Sequence, residues 1–113
     1  MVWKDKKWSA QLCLNKNNVW TDGSNIYYSD REMSYKFNGN NWEKKTWSGL
    51  TDLYGSYIWS DGENIYYSSY ANHYILDKET DTWEKKTWNG LTNFYGHYIW
   101  TDGDNIYYSN DSS

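Results

Sequence analysis

The chain has 113 residues with 11 basic and 15 acidic side chains, a net charge of −4 and a pI near 5.0, a balance that argues against a dedicated nucleic-acid binder held by phosphate neutralisation. Nine Trp, thirteen Tyr and two Phe make it 21% aromatic, with no proline and a mean hydropathy of −1.07; disordered chains are poor in aromatics, and no run is apolar enough for a membrane helix. Its one cysteine, Cys13, cannot form an internal disulfide, no Cys/His cluster has zinc-like spacing, and the first residues lack the apolar stretch of a secretory signal, so no staple, structural metal or export is expected.

In chain order, the Trp-bounded stretch WKDKKW at residues 3–8 is expected to be an outer strand, with a linker running to residue 18. Next comes VWTDGSNIYYS at residues 19–29, which returns as IWSDGENIYYS at 58–68 and IWTDGDNIYYS at 99–109. The tryptophans at 20, 59 and 100 set periods of 39 and 41 residues. A second block, WEKKTW, stands unchanged at 42–47 and 83–88, and WKDKKW is its weaker first copy. The longer period is placed between Tyr74 and Trp83, where a long polar turn replaces an Asn-Gly turn, a change a hairpin tolerates.

Each repeat reads as four strands. In the second these are expected around Tyr57 to Ser60, Asn64 to Ser68, His73 to Leu76 and Thr82 to Trp88. The runs are short, β-branched or aromatic, and bounded by Asp-Gly, Asn-Gly and Ser clusters. Asp22-Gly23, Asp61-Gly62 and Asp102-Gly103 supply the positive φ of tight hairpins, and this cheaper use outweighs acid/base chemistry for the three aspartates. Four antiparallel strands about every 40 residues predict an all-β fold, a β-propeller of four-stranded blades. The expected divisions are 1–18 outer strand and linker, 19–57 first blade, 58–98 second blade, and 99–113 the opening strands of a third.

The pattern Tyr35…Trp42 and Tyr74…Trp83, with LDKETDTW at 76–83, resembles the kelch-type propeller repeat. Ser29-Asp30 and Ser68-Ser69 stand where kelch repeats usually carry a Gly-Gly pair. In this frame the third blade is split between the two ends of the chain. A homodimer is therefore expected, the last strands of one copy meeting the outer strand of another in a ring of about six blades; the alternative is a fragment of a longer propeller.

No P-loop, paired metal motif or nucleophile elbow is present, so no enzyme activity, cofactor or metal is expected. His73 and His97 occupy non-repeated roles and read as surface residues. Lys4, Lys6, Lys7, Lys44, Lys45, Lys85 and Lys86 read as charges that protect a free outer edge. Binding is the stronger class. The near-copies at 48–55 and 89–96, together with the connections at 30–33 and 69–72, are expected as loops sharing one face. There Tyr54, Tyr95, Asp52, Asn93 and Tyr70 are the candidate ligand-binding residues for a protein or a glycan. Packing of Leu50, Leu53, Leu91, Phe94 and the tyrosines between blades is the competing use of the same segments.

Overall fold

A computed structural model describes residues 18–50 and 52–109; the outer strand expected at 3–8 and its linker lie outside them. The described chain is all-β. Its strands are β1 (Val19–Thr21), β2 (Ile26–Arg31), β3 (Ser34–Phe37), β4 (Trp42–Lys45), β5 (Leu53–Tyr54), β6 (Ile58–Ser60), β7 (Ile65–Tyr70), β8 (Asn72–Asp77), β9 (Thr82–Lys85), β10 (Phe94–Tyr95), β11 (Ile99–Thr101) and β12 (Ile106–Tyr108). Strands β1-β2-β3-β4 form one antiparallel meander, β6-β7-β8-β9 a second, and β11-β12 a two-stranded hairpin; the sheets are open.

The first hairpin of each unit is made by one local device used three times. Asp22 Oδ1 accepts the N–H groups of Ser24 and Asn25 at 2.9 and 2.8 Å. Asp61 and Asp102 do the same for the residues two and three positions on. The glycine after each aspartate has φ of 96°, 100° and 102° in turn, a region open to glycine at no steric cost. The other Asp oxygen takes a hydroxyl from Tyr27, Tyr66 or Tyr107, which ties turn to strand.

The length change between repeats sits in the β8–β9 turn. Phe37 pairs with Trp42 and Leu76 with Trp83, so both hairpins keep one register while residues 77–82 absorb the insertion. Because the register survives, Trp42 and Trp83 stay on equivalent faces.

Four expectations need correction. The second strand of each unit does not end at Ser29 or Ser68 but continues to Arg31 and Tyr70, shrinking the following connection to a tight turn. The segments expected as loops at 48–55 and 89–96 contain β5 and β10, which pair with the extended ends of β2 and β7: Asp30 opposes Tyr54, and Ser69 opposes Tyr95. Tyr57 belongs to a 3-10 turn, Gly55–Tyr57, ahead of β6. Strand β9 stops at Lys85, so Trp88 lies beyond it.

The two meanders pack face to face through aromatic rings. Trp20 and Tyr27 of the first, with Trp47 beyond β4 and Leu53 on β5, meet Ile65, Tyr67, Leu76 and Trp83 of the second. Trp20 stacks on Tyr27 at 4.5 Å, and Trp83 meets Trp20 and Trp47 edge-on at 5.9 and 6.0 Å. Each such ring can bury about 150–250 Å², so a few rings replace many aliphatic side chains. Backbone and an ion pair also stitch the seam: Trp83 N–H donates to Ser48 O at 2.8 Å, the Lys45 side chain pairs with Asp81, and Gly49 lies so close that a Cβ would sit 2.0 Å from Trp83 O. Lys45 and Lys86 therefore do more than guard an edge, since each also lies over a tryptophan ring, 4.9 Å from Trp47 and 4.7 Å from Trp88.

Candidate functional site

A polar relay runs through each of the first two units. Trp20 Nε1 donates to Ser29 Oγ at 3.0 Å, and Ser29 and Ser34 share a hydrogen bond of 2.8 Å. In the second unit Trp59 Nε1 donates to Ser68 Oγ at 2.9 Å, and His73 takes the place of Ser34. Contrary to the surface role expected for it, His73 is buried, stacked on Phe94 at 4.4 Å. Its Nε2 faces the Thr92 carbonyl at 2.8 Å, an acceptor only, so Nε2 carries the proton and Nδ1 accepts from the Ser68 hydroxyl. Ser68 has no exposed surface. This Ser–His pair clamps the segment before β10 onto β7.

The sequence-predicted residues fall near a ladder of rings. Tyr54 on β5 and Tyr95 on β10 both contact Tyr57, at 5.6 and 5.3 Å, and Tyr70 lies 6.1 Å from Tyr95. Asp52 shares a groove of about 370 Å³ with Tyr54 and Arg31. The Tyr54 hydroxyl, with Asp52 next to it, holds the Arg31 guanidinium above its ordinary pKa. Asn93 is exposed and lines neither this groove nor the larger cleft described below. Of the residues given a packing role, Leu53 and Phe94 are buried and Leu50 is half-buried, whereas Leu91 is exposed. Arg31 and Tyr70 stand at equivalent places with φ of 86° and 60°, a conformation that costs a side-chain-bearing residue about 1–2 kcal/mol. Both are exposed, and each lies against the ladder.

Tyr57, expected only as the start of a strand, and His97, expected as a surface residue and exposed, were not among the candidate binding residues; their positions are repeated as Tyr98 and Ser56. His97 stacks on Tyr57 at 5.2 Å and touches Tyr98 at 4.0 Å. Tyr57 and His97 open onto a cleft of about 790 Å³ that runs along β6 and β11. Burial, with the tyrosines around it, pushes the Tyr57 hydroxyl up in pKa.

Among the described residues no group of three or more His, Cys, Asp and Glu could hold a metal ion, and no helix is long and apolar enough to cross a membrane. No family model matches the sequence, and neither a curated protein nor a solved structure matches it.

Proposed function

We propose that this chain is a non-catalytic scaffold for protein interaction, a kelch-like β-propeller whose meanders act as blades and whose ring is closed by a second copy. The observation that carries the reading is the unequal burial of equivalent residues. Trp20 and Tyr27 are 7% and 3% exposed under the second meander, whereas their counterparts Trp100 and Tyr107 are 49% and 39% exposed. On the complementary face Ile65 is 4% exposed and its counterpart Ile26 is 44% exposed. One end of the molecule thus presents the kind of surface that the other end is shaped to cover.

Glycines tell the same story. Gly49, pressed on Trp83, has its counterpart at Gly90, where a Cβ would meet nothing within 4 Å. A head-to-tail contact that repeats the internal seam satisfies both ends, and with two copies it closes into a ring. Contiguous exposed aromatics of this kind mark interaction surfaces rather than ordinary solvent-facing positions.

The test is to change the face at the hairpin. Tyr107→Glu places a charge in the proposed seam but lies on an exposed strand, so each copy should still fold. Size-exclusion with light scattering is expected to show the parent chain as a dimer and the variant as a monomer with unchanged far-ultraviolet dichroism. Equal masses for the two overturn the closure.

A further inference from the structure

We infer that the cleft along β6 and β11 is a binding site for a neutral saccharide. The inference rests on the repeats stacking side by side as blades; it does not require the ring to close.

The chemistry of the walls selects the ligand class. Among the described residues thirteen line the cleft, and none of these is Asp, Glu, Lys or Arg, in a chain of which 23% is charged. A phosphate, an acidic peptide or a cation would find no opposite charge there. What the walls do offer is aromatic rings interleaved with small hydrogen-bonding groups: Tyr54, Tyr57 and Trp59 on one side, with Ser56, Ser60 and His97 among them. Sugar rings combine apolar C–H faces with hydroxyls that both donate and accept, and this mixed surface complements both features.

The strand arrangement adds fixed polar groups. Among the described residues β6 and β11 pair on one side only, with β7 and β12, so each presents a backbone edge of N–H and C=O groups. The Gly55–Tyr57 and Gly96–Tyr98 turns hold Ser56 and His97 at equivalent places one repeat apart. A volume near 790 Å³ falls in the usual range for small-molecule sites. An extended glycan would thus meet the same elements twice, with a hydroxyl at one repeat and an imidazole at the next.

The experiment titrates the full chain with cellohexaose, xylohexaose, mannohexaose and chitohexaose, reading tryptophan emission and heat, with a heparin hexasaccharide as the charged comparison. At least one neutral probe should bind with Kd below about 1 mM, and His97→Ala and Ser56→Ala should each weaken it about fivefold or more, the worth of about one hydrogen bond. Both variants should melt within a few degrees of the parent, because neither removes a core side chain. No binding by any neutral probe at about 10 mM, equal binding of heparin, or variants that bind like the parent would each overturn the inference. Light scattering on the same samples separates the two readings. Saccharide binding by a monomer removes the ring and leaves the cleft, whereas a dimer that binds no probe removes the cleft and leaves the ring.

Discussion

Asp22, Asp61 and Asp102 show how much one side chain can organise. For Asp22 and Asp61 burial alone would raise the carboxyl, yet the N–H donors of the turn and the Tyr27 or Tyr66 hydroxyl outweigh it and hold each below the ordinary 3.8. At Asp102 the N–H groups of Asn105 and Asp104 lower it, with burial opposing weakly. A carboxyl whose folded pKa is depressed adds stability that is present above about pH 4 and is lost as pH falls through the folded value. Thermal melts should therefore fall steeply in acid, and Asp61→Ala should cost about 1–2 kcal/mol near neutrality and flatten that dependence. The opposite limb belongs to Tyr27 and Tyr67. Burial first, with Asp22 adding at Tyr27, pushes both hydroxyls up to about 12. Their contribution is intact below pH 10 and is lost as pH rises through about 12, so urea midpoints should hold through pH 9 and then drop. The aspartate turns were legible in the sequence because every partner lies within five residues. His73 was not, because Thr92, which fixes it, lies nineteen residues away. His73→Ala should cost about 2 kcal/mol by leaving Ser68 and Thr92 without that partner, measured by chemical denaturation.

At the scale of elements, the same contrast separates hairpins from β5 and β10. Hairpin strands follow from alternating residues and a turn signal, both local. A two-residue strand such as Leu53–Tyr54 has no such signature and exists because β2 runs past its hairpin to offer an edge at Asp30 and Arg31. The 3-10 turns that follow depend on close approach. A Cβ on Gly55 would sit 2.1 Å from Asn18 O, and one on Gly96 would sit 1.9 Å from Tyr57 O, equivalent contacts one repeat apart. Those obstacles are backbone and cannot swing away. Gly96→Ala should thus cost about 3 kcal/mol or more, whereas Gly62→Ala, with open space around it, should cost only the strain of a left-handed alanine, about 1–2 kcal/mol. Comparing their melting temperatures checks the account, and equal losses would contradict it. The tyrosine ladder was half legible: Tyr54 and Tyr95 stand out as repeated, but Tyr57, which bridges them, is indistinguishable in sequence from a strand residue.

For the whole molecule, an aromatic-rich, aliphatic-poor composition suits a core that is a thin seam between two sheets. Rings of Trp and Tyr fill that seam, Trp20, Tyr27 and Trp47 meeting Tyr67 and Trp83. Gly90 is a discriminating position. Gly49→Ala should damage folding, since its neighbour is Trp83 of the same chain, while Gly90→Ala should leave the fold little changed and weaken self-association, visible as a raised dimer dissociation constant. The central claim, that a second copy covers the face bearing Trp100 and Tyr107, is tested most directly by the native mass of the unmodified chain in sedimentation equilibrium over a wide concentration range. A species of twice the 13.6 kDa chain mass is expected; a stable monomer throughout the range would rule the second copy out.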